Sequence, residues 1–323
     1  MPIWSKRLRR PKLNPGLNDG PYDDSSFYTN MWAKLPDVAE SLSSANPRYQ
    51  ELAEMYRKFG DPPCSNWGSP ERNLPFFRAD NDYVWQPRYF ERDFERRLRE
   101  YAEYVASVDK LGIMKRCSED LQFGAFGVFH DGRIVSRDLL DSVLQINWAC
   151  QNVSALQMNS PTILDIGAGY GRFAHRISEG FSGAWRVLCA DGIALSTFLC
   201  EWYLQFRQAR NCLVVPVNDL RRSLESERPS VAFNMHSFSE IPCETVLWWF
   251  NELESASIAD LIVVTNERSS EFLSSEINGD RLNLFPVLEA RGWTVERQEP
   301  LVGDSNTRRS CNVNNSFLYL RRN

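Results

Sequence analysis

A chain of 323 residues, 43% hydrophobic and 24% charged, has the material for one large domain or two smaller ones around a real core. Its net charge of -5 gives no reason to expect a nucleic-acid partner, and no apolar run approaches the length of a membrane span. The first residues lack a signal-peptide apolar region, and the 8 cysteines form no C-x-x-C pair, so buried free thiols in a cytoplasmic protein are expected.

Residues 1–30 carry Pro, Gly, Asn, Asp and Ser without periodicity and read as an irregular, locally basic arm. Helices are predicted near Met31–Leu42 and Pro47–Phe59, the second opened by Pro47 and stopped by Gly60, with a loop over Asp61–Pro70. A long amphipathic helix is predicted over Pro87–Lys110, with Phe90, Phe94, Leu98, Tyr101, Val105 and Val108 at helical spacing. Phe123–Asp138 is rich in glycine and aromatics, carries His130, and is expected to be a mobile lid. A helix over Asp138–Ala155 leads into strand–helix alternation. Strands are predicted at 162–166, 186–190, 213–217, 230–235, 260–265, 292–296 and 315–320. Helices are predicted near 171–179, 194–209, 239–255 and 280–290, and an irregular loop over Pro300–Asn314. Such alternation implies a parallel, doubly wound α/β sheet. Residues 31–150 are expected to form a mostly helical cap and acceptor region, and residues 151–323 the cofactor-binding domain.

The stretch from Pro161 to Arg172 organises this alternation. An apolar strand ends in Asp165 and Ile166, and glycines follow at 167, 169 and 171 before a helical pattern begins. This is a strand feeding a tight glycine turn and a helix N-terminus, a nucleotide-cradling unit. A dinucleotide fingerprint would require glycine where the chain has Arg172, which disfavours a nicotinamide cofactor. The acid-x-G-x-G-x-G pattern resembles instead the first motif of the class I S-adenosylmethionine-dependent methyltransferases. The resemblance implies a Rossmann-like, seven-stranded, mostly parallel sheet ending in an antiparallel hairpin, with S-adenosylmethionine as cofactor. It implies that Gly167, Ala168, Gly169, Tyr170 and Gly171 admit the methionine part of the cofactor, with Asp165 beneath its amino group.

Ligands of open α/β sheets sit at the carboxyl ends of the strands. Asp191, followed by Gly192, directly follows the second strand, at the position of an acid that accepts from both ribose hydroxyls. Asn218 and Asp219 follow the third strand, where this family often accepts from the adenine amine. Asp219 reads equally well as a solvated turn or cap residue.

The fourth strand ends in Asn234, Met235, His236, Ser237, Phe238, Ser239, Glu240 and Ile241. This run resembles the Asn-x-His-Ser-Phe-Ser-Glu-Met segment of the sugar O-methyltransferases of antibiotic and polysaccharide biosynthesis, departing only at Ile241. The Gly-Tyr-Gly-Arg end of the glycine turn and the segment Phe126–Asp138 are similar to that family too, so the resemblance covers about 120–323. It implies a saccharide or other small-molecule acceptor, and Asn234 is counted with the cofactor residues.

Methyl transfer to a hydroxyl removes a proton as the oxygen attacks, and an imidazole is the usual general base. His236, at a carboxyl strand end, is the candidate. Glu240 is open to two readings: with Ser237 it forms S-x-x-E, a capping box, or it orients His236 or a sugar hydroxyl. His130 and Glu267, the latter beside Asn266 after the fifth strand, are further catalytic candidates. His175 reads as structural. Asp191, Glu240, Glu267 and Asp280 could converge on a divalent cation, but no tight ligand spacing supports a metal site. Methylation of a non-sugar hydroxyl or amine, and a non-catalytic binding protein on the same fold, are the alternatives. A homo-oligomer is compatible with the sequence.

Overall fold

The computed structural model describes residues 41–59, 70, 73–74, 77, 81, 83–86, 93–158, 160–266 and 271–323. The arm at 1–30, nearly all of the helix expected near Met31–Leu42, the loop over Asp61–Pro70 except Pro70, the start of the helix expected from Pro87, and Glu267 lie outside the described residues.

Helix α1 (Pro47–Phe59) begins at its proline and buries Tyr49, Leu52 and Tyr56, one stripe of an amphipathic helix. Helix α2 (Phe94–Val108) buries Phe94, Leu98, Tyr101, Ala102 and Val105, as the spacing requires. A single turn, α3 (Ile113–Arg116), is capped by the Asp109 carboxylate, which accepts from the Ile113 and Met114 amides at 3.0 and 2.8 Å.

The expected lid over Phe123–Asp138 is instead an antiparallel ribbon, β1 (Gly127–His130) and β2 (Arg133–Ser136), turned by Asp131 and Gly132 at positive φ. Its glycines serve the turn and a close approach: a Cβ on Gly127 would lie 2.5 Å from the Val135 carbonyl oxygen. Ser136 then caps α4 (Arg137–Asn152), accepting from the Leu139 amide at 3.1 Å.

Seven strands make the main sheet: β3 (Thr162–Ile166), β4 (Arg186–Ala190), β5 (Cys212–Val215), β6 (Val231–Met235), β7 (Asp260–Thr265), β8 (Trp293–Pro300) and β9 (Ser316–Arg322). Their order is β5-β4-β3-β6-β7-β9-β8. The first five run parallel, and β9 pairs antiparallel with both β7 and β8. This is the Rossmann-like, mostly parallel sheet with an antiparallel end that the sequence predicts. The connecting helices are α5 (Arg172–Gly180), α6 (Ala194–Phe206), α7 (Leu220–Glu227), α8 (Cys243–Ser255), α9 (Phe285–Ala290) and α10 (Ser305–Ser310). Two of these fall where no helix was expected. α7 is anchored by only Leu220 and Leu224, and α10 interrupts the loop over 300–314, capped by Asp304 through the Thr307 amide at 2.6 Å.

Alternation along the strands divides the core. Ile163, Val187, Phe233, Ile262 and Val264 face α1, α2, α4, α5 and α6, in a buried cluster that is continuous from Leu52 to Phe317. Leu164, Ile166, Leu188, Ala232 and Val263 face α7, α8 and α9 around Trp249, Phe250 and Trp293. Each such apolar side chain contributes about 1.5–3 kcal/mol on burial, so the sheet is held from both faces. The chain reverses direction across the sheet between β3 and β6, and the carboxyl ends of these two strands form the topological switch point.

Candidate active site

The turn after β3 is folded tightly against β4. The amides of Gly167 and Ala168 both donate to the Ala190 carbonyl, at 2.8 and 3.2 Å. Gly167 has φ of 69°, and a Cβ there would stand 2.1 Å from Ser237 Oγ. Only glycine therefore lets the turn after β3 touch the turn after β6. A Cβ on Gly169, at φ of 57°, would meet the ring of Tyr83 at 3.1 Å.

Two acids sit beside this turn. Asp191 is buried and accepts from the Gly169 amide and the Ile193 amide, both at 2.9 Å. Burial lifts its pKa to about 7 against the pull of those two bonds. Asp165 is also buried, and its Oδ2 has no hydrogen-bond partner among the described residues. Burial raises Asp165 to about 7; the Arg172 charge pulls it down and the Asp191 charge adds to the rise.

Helix α1 reaches this edge through Tyr56, a residue that sequence reasoning missed. Its hydroxyl donates to the Asp191 carbonyl at 3.0 Å, lies 2.6 Å from Thr197 Oγ1, and accepts from the Val217 amide at 3.4 Å. One side chain thus ties the ends of β4 and β5 together. Arg48 fastens the same helix to α6 through Glu201, at 2.6 and 2.8 Å. Beyond β5, Asn218 is exposed and lines a cleft of about 230 Å³ with Phe59, Val217, Arg221, Trp248 and Glu252. Asp219 pairs with Arg222 at 3.0 Å and makes no side-chain cap. Gly192 is half-buried directly after Asp191.

At the end of β6 the chain turns sharply. Asn234, fully buried, donates from Nδ2 to the Ile166 carbonyl at 2.9 Å and to Ser237 Oγ at 2.5 Å, and accepts from the Phe238 amide at 3.0 Å. Its side chain holds the β3–β6 junction and the following turn together. His236 takes φ of 73°, in the left-handed region, and its amide donates to the Val264 carbonyl at 2.9 Å. Its Nδ1 is buried without a partner. Burial pushes the imidazole down to about 4, helped by the Arg172 and Arg137 charges and opposed by Asp141 and the neighbouring Asn266.

The expected capping box is not formed. Residues Ser237–Glu240 are a 3-10 turn, Ser237 Oγ is taken by Asn234, and α8 starts only at Cys243 after Pro242. Glu240 lies instead within reach of Asn266, whose Nδ2 donates to it at 3.4 Å.

A polar face of α4, unforeseen from the sequence, lies beside this junction. Asp138 accepts from Tyr170 at 3.1 Å and pairs with Arg172 at 3.2 Å and Arg176 at 3.3 Å. Arg176 also pairs with Glu119 at 2.8 Å. Arg137 pairs with Asp141 at 2.7 Å, and Tyr101 donates to Asp141 at 2.5 Å. Tyr170 is thereby turned into an aromatic cluster with Phe77, Tyr83 and Tyr203. Arg172, which flanks the glycine turn, is a nearly buried charge beside Asp138.

His130 lies on the separate β1–β2 ribbon, its Nε2 3.8 Å from Asp131. His175 is structural, bonded to Tyr203 at 3.1 Å and pushed down to about 2 by burial. Among the described residues no group of three or more His, Cys, Asp or Glu could hold a metal ion. No described helix is long and apolar enough to cross a membrane.

No protein-family model matches the chain, and no curated protein matches it. Among solved structures it is similar to a SAM dependent methyltransferase from Aquifex aeolicus, at 17% identity over 50% of this chain and 81% of that one, TM-score 0.37. It is similar to magnesium protoporphyrin IX methyltransferase from Synechocystis PCC 6803 with bound SAM, at 13% identity over 69% and 97%, TM-score 0.40. It is also similar to the mitomycin 7-O-methyltransferase, at 17% identity over 70% and 68%, TM-score 0.40. The strand order and antiparallel end described above are those that the resemblance of the Pro161–Arg172 stretch implies.

Proposed function

We propose that this chain is an S-adenosylmethionine-dependent O-methyltransferase acting on a sugar hydroxyl, with His236 as general base. The observation that carries the proposal is a pair of buried groups at one strand junction, unpartnered among the described residues: Asp165 Oδ2 at the end of β3, just before the glycine turn, and His236 Nδ1 on the turn packed against it. A buried carboxylate with a free oxygen suits an ammonium group, which S-adenosylmethionine carries and S-adenosylhomocysteine retains. Asp191 keeps lone pairs for ribose hydroxyls beyond the two amides it already accepts from. Asn218 and Trp248 offer a polar edge and an aromatic face in the cleft after β5, where an adenine would fit.

Bound S-adenosylmethionine supplies an electrophilic methyl group. His236 receives the proton of the attacking hydroxyl at Nδ1, and its depressed pKa keeps the ring neutral and ready at physiological pH. The sugar acceptor is argued from the Asn234–Ile241 resemblance and from the polar wall that α4 presents. Thermal shift with S-adenosylhomocysteine and with NAD tests the cofactor, because a ligand that binds only the folded state raises the melting point. A rise with NAD and none with S-adenosylhomocysteine would end the proposal.

A further inference from the structure

Helix α4 crosses the sheet. Near its start Asp138 and Ser142 hold Arg172 beside the glycine turn, at 3.2 Å each. Near its end Trp148 stacks on Phe317 of β9, ring centroids 4.3 Å apart. In the sheet, β6 and β7 lie between those two anchors, so the middle of the helix passes over the strand end that carries His236.

Gln145 sits in that middle. At about 100° per residue it falls between Asp141 and Asp138 around the helix axis, on the face that carries both anchors. It is fully buried, and among the described residues neither its amide nitrogen nor its amide oxygen has a hydrogen-bond partner. Arg137, buried too, commits its Nε to Asp141 and leaves Nη2 without a partner. Arg137 therefore reaches up the helix to Asp141, while Gln145 leans back toward the N-terminus as helical side chains do. Both orphaned groups thus lie toward the stretch of the helix around Asp141, whose charge, with that of Arg137, acts on the His236 ring.

A buried amide with neither hydrogen bond made is costly, and an apolar residue of the same size would fill the space better. One donor and one acceptor side by side complement two adjacent hydroxyls, each of which can give and take a hydrogen bond, and Arg137 Nη2 adds a further donor. We propose that Gln145 and Arg137 Nη2 hold the methyl acceptor by two adjacent hydroxyls and present one of them to His236. This assignment rests on the methyl-transfer reading above.

Gln145→Met keeps the volume and removes the orphaned amide, so the free protein should melt higher by about 2 °C or more. A glutamine with a structural role would make the variant melt lower. S-adenosylhomocysteine is then titrated by calorimetry into wild type, Gln145→Met and Arg137→Lys. Methyl α-D-glucopyranoside, methyl α-D-mannopyranoside and methyl 2-deoxy-α-D-glucopyranoside follow by saturation-transfer NMR in its presence. Equal affinity for S-adenosylhomocysteine in all three proteins is expected, with at least one glycoside bound about tenfold or more weakly by both variants. A lower melting point for Gln145→Met, or glycoside binding that neither variant weakens, would overturn the assignment, as would wild type that takes S-adenosylhomocysteine but none of the glycosides. If S-adenosylhomocysteine leaves the wild-type melting point unmoved, the methyl-transfer reading itself fails. The melting point of Gln145→Met then still decides whether the amide is an unfilled binding group.

Discussion

Asp165→Asn should stabilise the free protein more at alkaline than at acid pH, while loosening its hold on S-adenosylmethionine. Burial raises Asp165 from the ordinary 3.8 to about 7, with the Arg172 charge opposing and the Asp191 charge adding to the rise. A carboxyl whose folded pKa exceeds its unfolded value binds more protons folded than unfolded. Its contribution to stability is whole at low pH and is lost as the pH climbs from about 4 toward 7. Between about pH 5.5 and about pH 8 the folded protein gives up this proton, which the unfolded chain has already lost. At about 1.4 kcal/mol per pH unit over the roughly 1.5 units below the folded pKa, the loss is about 2 kcal/mol. Asparagine carries no such proton, so the stability difference between variant and wild type should move by about 2 kcal/mol in the variant's favour across that interval. Urea denaturation at the two pH values measures it, and the other titrating groups, present in both proteins, largely cancel. Calorimetry supplies the second arm. Wild-type affinity for S-adenosylmethionine should strengthen as the pH rises toward 7 and the acid ionises, and the variant should bind more weakly with a shallower pH dependence, since Asp191 still titrates. A stability difference that ignores pH would refute the raised acid, and undiminished cofactor affinity in Asp165→Asn would remove it from the cofactor site.

Gly169→Val forces a β-branched residue to φ of 57° and against the Tyr83 ring at 3.1 Å; it should cost about 1–3 kcal/mol and abolish S-adenosylhomocysteine binding in a titration of the folded variant. His236→Asn, which tolerates the left-handed backbone, should lower turnover by about 10²–10⁴ with cofactor affinity kept, and near-full activity would transfer the role of base elsewhere. At saturating S-adenosylmethionine, wild-type kcat should fall as the pH drops toward about 4, where the imidazole protonates, and this acid limb should be missing from the variant's residual activity. Asp141→Ala strands the buried Arg137 charge and should cost about 3–5 kcal/mol in denaturant, whereas a loss under about 1 kcal/mol would mean that water reaches the pair.

The sequence by itself determined the sheet and the place of its site. Short apolar runs, each followed by a glycine, an acid or a helix start, can only be buried strands that end at one edge. The doubled-back glycines at 167, 169 and 171 require a turn that side chains cannot make, and all three take positive φ. The switch point and the positions of Asp165, Asp191 and His236 follow from that pattern alone. The polar wall was not legible. Arg137, Asp138, Asp141 and Gln145 lie in a stretch read only as a helix, and their burial follows from the packing of α2, α5 and β9 against it. Burial, and not residue type, turns Arg172 from a surface charge into one that shifts two site residues. Tyr56 likewise lies 135 residues from Asp191 in the chain, and only the docking of α1 brings its hydroxyl there. The capping box failed for a local reason that tertiary contacts sharpened. Ile241, before Pro242, is held extended at φ -121° and ψ 158°, so the helix cannot begin at Ser237. Asn234 takes the serine hydroxyl that would have capped it. Periodicity records which residues a chain will bury, and only packing decides which buried polar groups find partners and which are left for a ligand.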